Sequence, residues 1–256
     1  MELLTDTNSL KKLERRVWQR FVRAFATYGL LSDGDRVLVG LSGGNDSLCL
    51  LELLARRSRI QHPRFEVEAV HVRMTNIAYD TSTDYLQRFC GEQNVRLHVV
   101  ETSFEVGGDT ADLRRQKQPC FLCSWNRRKQ MFNLAQQLNC NKLALGHHQD
   151  DLLHTCLMNQ LFQGRFDTMP ARLTMKKMPL TIIRPLCLEE EADIKHYASL
   201  RGYEPQKKRC PYENDSHRTA IKLLYEMAER LNPEVRFSLW NALEREGKLI
   251  TDKNTN

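Results

Sequence analysis

The sequence predicts an α/β protein built on a doubly wound, mainly parallel sheet of five strands. Over most of the 256 residues, apolar side chains alternate between a strand-like and a helix-like period. The first apolar segment, Arg-Val-Leu-Val-Gly-Leu at 36–41, is typical of a buried strand, and an amphipathic helix follows it at once. Strands that alternate with helices of this length indicate a parallel sheet covered on both faces.

Each of the five predicted strands precedes a helical or loop segment. The strands cover 36–41, 65–74, 95–102, 142–146 and 180–184. The predicted helices cover 45–57, 82–94, 123–139, 150–162 and 189–202, and the last ends at a glycine. Segments 103–119 and 163–179 are predicted to be long loops, which often have functional roles at the strand ends of an open sheet.

Helical segments on either side of this unit predict three parts. Residues 1–30 are an N-terminal arm with a basic amphipathic helix over 10–28. Residues 31–205 are the α/β domain. Residues 206–256 are a C-terminal part with a cysteine-bearing loop and helices over 216–231 and 233–246, the second with Pro233 at its start.

The composition excludes several classes of protein. With 41% hydrophobic and 27% charged residues, only the last few residues have the character of a disordered tail. Glu52 interrupts the most apolar stretch, so we expect no membrane span, and the N-terminus lacks the apolar segment of a secretory signal. We therefore expect a cytoplasmic protein, and a formal charge of +6 mildly favours a polyanionic partner.

A glycine-rich hexapeptide, Ser42-Gly43-Gly44-Asn45-Asp46-Ser47, joins the first predicted strand to a helix. Glycines let the backbone approach an oxyanion, and the N–H groups of the loop and helix start point towards it. Ser42 and Ser47 add hydroxyl donors, whereas bare phosphate would repel Asp46, whose presence indicates a bridging Mg²⁺. The alternative is an ordinary turn that caps the helix, with Asp46 opposite the helix dipole.

A second polar motif follows the fourth predicted strand, with Gly146, His147, His148, Gln149, Asp150 and Asp151 in succession. Gly146 permits a close backbone approach, and the two aspartates fall in the first turn of a helix, where carboxylates are favoured in any case. The histidines have a structural alternative too, as ordinary hydrogen-bonded loop residues. Both motifs are predicted at the carboxyl ends of parallel strands, where open α/β sheets bind their ligands.

Eight cysteines are unusual for a chain expected in a reducing compartment, where disulfides are rare. Cys120 and Cys123 form a C-x-x-C at a helix start, and Cys210 in a later polar segment is the best third partner. The remaining five, Cys49, Cys90, Cys140, Cys156 and Cys187, are predicted to be buried. Three thiolates leave two alternatives: a zinc ion with a fourth ligand such as His217, or an iron–sulfur cluster with one open iron.

These motifs resemble those of a known family. Ser-Gly-Gly-x-Asp-Ser after a first strand resembles the PP-loop of the N-type ATP pyrophosphatases, although many members have lysine where this chain has Asn45. With the C-x-x-C, Gly-His-His-x-Asp-Asp, Arg184-Pro185-Leu186 and the late Cys210, the chain resembles the tRNA 2-thiocytidine synthetase (TtcA) family from about Val37 to about Arg218. Many members also have a second cysteine soon after the third ligand, which is missing here.

The resemblance implies a function and a set of site residues. It implies ATP-dependent thiolation of tRNA at cytidine 32 of the anticodon loop through an adenylated base, with sulfur from a cysteine desulfurase delivered at a [4Fe–4S] cluster. It places the cluster on Cys120, Cys123 and Cys210. It assigns ATP and Mg²⁺ to the Ser42–Ser47 hexapeptide with Gly146, Asp150 and Asp151, gives Asp46, Cys120 and Cys123 catalytic roles, and is compatible with a homodimer.

Two other functions remain open at the level of sequence. One is a PP-loop enzyme that thiolates another substrate, and the other is a non-catalytic iron–sulfur or zinc protein that binds RNA or senses redox state. Basic clusters near the predicted site favour a tRNA track, although each alone is typical of a solvated face. They are 114, 115 and 117; 127–129; 176 and 177; and 207–209, with Phe121, Trp125 and Tyr212 as candidates for base stacking or for packing around the cluster.

Overall fold

A computed structural model describes residues 2–75, 83–103, 119–206 and 217–252, with the backbone alone for 2–9, 119 and 120. Within these ranges, no helix is long and apolar enough to cross a membrane. All further statements about the structure concern these residues.

One seven-stranded sheet forms the centre of the molecule. Its strands are β1 (Asp35–Gly40), β2 (Phe65–Met74), β3 (Arg96–Thr102), β4 (Lys142–Ala144), β5 (Arg172–Thr174), β6 (Thr181–Ile183) and β7 (Ile250–Thr251), in the order β3-β2-β1-β4-β6-β5-β7. The first four neighbouring pairs in this order are parallel, β5 is antiparallel to β6, and β7 is parallel to β5. The chain order reverses between β1 and β4, which makes their carboxyl ends the switch point of the sheet.

Eight helices surround the sheet in the described part of the chain. They are α1 (Glu2–Tyr28), α2 (Asn45–Ser58), α3 (Asp84–Glu92), α4 (Pro119–Gln137), α5 (Gln149–Gln163), α6 (Glu191–Leu200), α7 (His217–Leu231) and α8 (Val235–Arg245). Val37 and Val39 of β1 pack on one face with α1, α2, α5 and α6, whereas Leu38 packs on the other face with α4. The predicted doubly wound α/β class is therefore confirmed.

The predicted number of strands is wrong, because the sheet has seven strands instead of five. The segment 163–179, predicted to be a loop throughout, contains β5, and the C-terminal part contains β7. Both strands are too short for a periodic apolar pattern, so pairing with a neighbour decides their conformation. Leu173, for example, pairs with Ile182 of β6.

Five of the eight cysteines belong to the hydrophobic core. Cys49, Cys90, Cys140, Cys156 and Cys187 are all buried and free of disulfides. Burial raises the pKa of their thiols, to about 12 for Cys90, so these side chains stay protonated and unreactive. The prediction that these five are core residues is confirmed.

Helix α1 packs along α6 through an apolar stripe and a group of charges. Leu13, Val17 and Phe21 are buried in the same core as the sheet. Beside them, Arg20 donates hydrogen bonds to Asp193 at 2.7 Å and Glu190 at 3.0 Å. Glu189 lies under this group with no exposed surface, and neither carboxylate oxygen has a hydrogen-bond partner within the described ranges.

Replacing Glu189 with glutamine is expected to change how stability depends on pH. Burial raises the pKa of Glu189 to about 8; the positive charges of Arg20 and Arg16 lower it, and the negative charges of Asp193 and Glu190 raise it. The folded protein therefore keeps a proton that the unfolded chain releases above its ordinary pKa, so wild-type stability falls as pH rises between these values. Glutamine does not titrate. We therefore expect the free energy of unfolding of Glu189→Gln, relative to that of wild type, to increase by about 3 kcal/mol between pH 5.5 and 9.

Urea unfolding at the two pH values measures this difference. Glu66, which is largely exposed and lies 3.3 Å from Arg36, provides the matched control for the removal of one carboxylate, and the effect of Glu189→Gln is measured against that of Glu66→Gln. Parallel losses of stability in wild type and Glu189→Gln would show that the buried carboxyl does not titrate in this range.

Candidate active site

A cavity of about 360 Å³ lies at the carboxyl ends of β1 and β4, at the switch point of the sheet. Ser42, Asp46 and Ser47 line it from the hexapeptide, and Gly146, His147 and Asp151 line it from the second motif. The fold thus brings together two motifs that are about a hundred residues apart in sequence. A cavity of this size with converging polar groups is typical of a small-ligand site.

The hydroxyl of Ser47 organises the hexapeptide loop. Its Oγ accepts hydrogen bonds from the N–H groups of Ser42 at 3.1 Å and Gly43 at 3.2 Å, and donates to the carbonyl of Gly44 at 2.9 Å. Gly43 has a φ of +83°, and a Cβ there would lie 2.5 Å from the side chain of Gln206. Only glycine therefore fits this position without strain.

Helix α2 begins directly at the loop without a side-chain cap. Its N-cap residue is Gly44, so no side chain accepts from the N–H groups of the first turn. These groups and the helix dipole make the helix start a binding position for an anion. Gly44 itself occupies the cap position, as glycine commonly does, and its carbonyl accepts from the N–H groups of Ser47 and Leu48, both at 3.1 Å.

Two carboxylates, Asp46 and Asp151, face the same cavity. Burial raises the pKa of Asp46, which is further raised by the charge of Asp151 and lowered by that of His148. A cation beside Asp46 and Asp151 would offset the cost of burying the charge of Asp46 and the repulsion between the two carboxylates. Carboxylate oxygens are preferred ligands of Mg²⁺. The donor set therefore fits a magnesium ion bound together with phosphates.

Gly146 allows the two motifs to touch through their backbones. A Cβ at this position would lie 3.1 Å from the backbone carbonyl group of Asp46 and 3.2 Å from the nitrogen of Ser47. Any larger residue would push β4 and the hexapeptide apart. The close approach predicted from the sequence is thus present in the fold.

Asp150 has a different environment from the other predicted binding residues. Its carboxylate accepts hydrogen bonds from Arg236 of α8 at 2.6 Å and from the N–H of Glu191 at 2.8 Å, and it is absent from the cavity lining. Burial alone would raise the pKa of Asp150, but hydrogen bonds from His148, Arg236 and Glu191 lower it well below its ordinary value. The structure therefore places Asp150 in the joint between α5, α6 and α8.

Several residues of the cavity were not predicted as site residues from the sequence. His71 of β2, Gln206 after α6 and Arg218 of α7 all line it. The Nδ1 of His71 bonds to the carbonyl of Leu41 at 2.8 Å, next to the hexapeptide. No local motif marks these positions, because the chain reaches them through long-range packing. Arg218 makes no hydrogen bond or ion pair within the part of the chain that the structure describes.

Of the three predicted cluster ligands, the structure describes the side chain of Cys123. It is half-buried near the start of α4, where it packs with Leu122 against Met74 of β2. The side chain of Cys120 and all of Cys210 lie outside the described residues, as do Arg114, Arg115, Lys117, Lys207, Lys208, Arg209 and Tyr212. Because Cys123 is the one predicted ligand whose side chain is described, the assignment of a cluster to these three cysteines stays a prediction.

Helix α4 connects Cys123 to the cavity at the carboxyl ends of β1 and β4. Arg127 lines the cavity, whereas Phe121 and Trp125 are about half exposed, at 48% and 49%. The ammonium of Lys129 lies 5.4 Å from the centre of the Trp125 ring. These aromatic side chains remain accessible to a stacking partner.

The fold and the loop at its switch point define a PP-loop protein. The profile of the PP-loop domain family matches residues 11–223. Among curated proteins, the tRNA-cytidine(32) 2-sulfurtransferase of Geotalea daltonii is 35% identical over 234 residues, or 90% of this chain and 91% of that protein. The tRNA-cytidine(32) 2-sulfurtransferase 1 of Francisella tularensis is 31% identical over 245 residues, or 93% and 89%. The chain belongs to this sulfurtransferase family within the PP-loop enzymes.

Solved structures support the fold. The U34-tRNA thiolase NcsA of Methanococcus maripaludis, solved with its [4Fe–4S] cluster, has a TM-score of 0.75 and 24% identity, and the match covers 92% of this chain and 79% of that one. NMN synthetase of Francisella tularensis has a TM-score of 0.52 and 13% identity, with 96% and 99% covered. The same architecture thus supports different reactions, so function has to be argued from the site.

Proposed function

We propose that this protein is an ATP-dependent tRNA sulfurtransferase that forms 2-thiocytidine at position 32 of the anticodon loop. The main support is the cavity at the switch point, where Gly146 contacts the backbone of the phosphate loop and Asp46 and Asp151 face one space. The names of the relatives supply the choice of base and position.

The phosphate chain of ATP would bind at the uncapped start of α2. The first-turn N–H groups and the hydroxyl of Ser42 would donate to phosphate oxygens, and Asp46 and Asp151 would hold a Mg²⁺ that offsets the negative charge of the phosphates. Arg218 and Arg127 line the same cavity and supply the cationic side chains that Asn45 does not provide. Activation follows when O2 of the cytidine attacks the α-phosphorus and pyrophosphate leaves.

The second half of the reaction replaces AMP by sulfur. A sulfur nucleophile adds to C2 of the adenylated base, and the C2–O2 bond breaks with AMP as the leaving group. A [4Fe–4S] cluster on Cys120, Cys123 and Cys210 would supply the place where sulfur is held, with a cysteine desulfurase as its source. Exposed Phe121 and Trp125 on the same helix are positioned to stack on an unpaired base.

Deletion of the gene is expected to remove 2-thiocytidine from the tRNA of its host. The measurement is mass spectrometry of tRNA nucleosides from the deletion strain, with the strain complemented by the wild-type gene as control. Intact 2-thiocytidine in the deletion strain would contradict the proposed product. Loss of a different thionucleoside would favour a PP-loop enzyme with another substrate.

A further inference from the structure

His147 and Arg184 form a hydrogen-bonded pair in the wall of the nucleotide cavity. His147 follows β4 and Arg184 follows the neighbouring β6, and Nε of Arg184 donates to Nδ1 of His147 at 3.3 Å. A guanidinium nitrogen only donates hydrogen bonds, so Nδ1 must be the acceptor and has no proton. The contact therefore determines which imidazole nitrogen is deprotonated.

Arg184 is itself held by the surrounding loops. It is 6% exposed, its Nη1 donates to the carbonyl of Pro170, and its backbone N–H donates to the carbonyl of Ala171 at 2.8 Å. No carboxylate of the described residues forms an ion pair with it. The position of Arg184 is therefore set by packing and by hydrogen bonds to neutral groups, and its Nε–H faces Nδ1 of His147.

The same environment keeps His147 neutral. Burial, and then the charge of Arg184, lower the pKa of His147 to about 4. Among the other charged groups around the ring, Arg218 and His148 lower the pKa further, and only Asp151 raises it. A neutral imidazole has one proton, and since Nδ1 lacks it, that proton is on Nε2.

We propose that Arg184 fixes His147 as a neutral hydrogen-bond donor whose Nε2–H binds an oxygen of the nucleotide's phosphate chain. His147 lines the cavity, and Gly146 before it lies against Asp46 and Ser47 of the phosphate loop. Arg184 is then a positioning residue, and His147 is a binding residue that takes no proton from the substrate. The assignment of the bound oxygen to a nucleotide phosphate rests on the proposed function. The tautomer and the neutral charge of the His147 imidazole do not depend on it.

Nitrogen-15 NMR of the full-length protein, labelled and purified anaerobically, tests the state of the ring without ATP or tRNA. Long-range proton–nitrogen correlations should show an unprotonated Nδ1 and a protonated Nε2 at pH 7, in a signal that His147→Gln removes. His154, on α5 behind the cavity, is the matched control, because His154→Gln should leave that signal in place. A protonated Nδ1, or two protonated nitrogens, would overturn the proposal.

Replacing Arg184 should remove the constraint on the tautomer of His147. In Arg184→Met we expect the two nitrogen shifts of His147 to move towards each other as both tautomers become populated. Unchanged shifts in a folded Arg184→Met protein would show that Arg184 does not set the tautomer. If this variant fails to fold, Arg184→Lys, which keeps a positive charge in the same pocket but lacks the Nε–H donor, replaces it, and unchanged His147 shifts in that variant would show that the Nε–H contact does not set the tautomer.

Binding of α,β-methylene-ATP, measured by calorimetry, tests the donor role. Glutamine offers an oxygen to Arg184 and an N–H to the cavity, so His147→Gln should bind within about threefold of wild type, whereas His147→Leu should bind about tenfold more weakly. Equal binding by both variants would refute the phosphate contact. If the wild-type protein does not thiolate tRNA but the tautomer and binding results are as expected, only the proposed function is refuted.

Discussion

Replacing Asp46 with asparagine is expected to reduce tRNA thiolation by about 10²–10³-fold, the range found when one preorganised electrostatic contact is lost. The carboxylate faces the cavity together with Asp151, and burial raises its pKa, so it is poised to bind a cation that enters with the phosphates. Asparagine preserves the shape of the side chain but provides one neutral oxygen. The measurement is single-turnover thiolation of unmodified tRNA with saturating ATP and Mg²⁺.

Asp167→Asn is the matched control for this prediction. Asp167 is exposed after α5 and accepts a hydrogen bond from the N–H of Thr168 at 2.9 Å, outside the cavity. Its variant should thiolate at the wild-type rate, and both variants should unfold at similar temperatures. Thiolation by Asp46→Asn at the rate of this control would refute the role of Asp46 in catalysis.

Replacing Cys123 or Cys210 with serine is expected to abolish both the brown colour of the anaerobically purified protein and its thiolation activity. Three thiolates are the minimum set that holds a [4Fe–4S] cluster with an open iron, and a serine hydroxyl replaces a thiolate poorly. The measurements are iron and sulfide content, visible absorbance and thiolation of tRNA. Pyrophosphate release from ATP should persist in part, because the nucleotide cavity is formed by other residues.

Cys140→Ala separates this effect from a general loss of stability. Cys140 is 6% exposed and packs in the core between the sheet and α4. Its variant should retain iron, sulfide and activity, with a stability loss of about 1 kcal/mol. A colourless wild-type protein with one zinc ion per chain would instead support the zinc alternative and refute the cluster.

Local sequence was sufficient to predict the elements that form the site. The hexapeptide and the Gly146–Asp151 motif each follow a strand and precede a helix, as their turn residues and apolar periods indicate. Parallel strands then place both motifs at one edge of the sheet, which is why the residues Ser42, Asp46, Ser47, Gly146 and Asp151 converge on one cavity. The assignment of Cys120, Cys123 and Cys210 to a cluster stays a prediction.

Other features depend on contacts between distant parts of the chain. The sequence motif places Asp150 beside Asp151, and His148 contacts both carboxylates, but Arg236 of α8 bonds to Asp150 whereas Asp151 lines the cavity. Arg218 enters the cavity from α7, and β5 and β7 exist because neighbouring strands pair with them. No local pattern contains this information.

The doubly wound sheet, the two motifs at the strand ends and the burial of five cysteines were thus determined by the sequence alone, because turn chemistry and apolar period act over a few residues. The five core cysteines follow the same local logic, since each lies within an apolar pattern. Only the tertiary structure decided which side chains share the cavity and which hydrogen bonds they form. Arg184 becomes the partner of His147 because β6 pairs with β4, and a pairing of strands is a property of the whole fold.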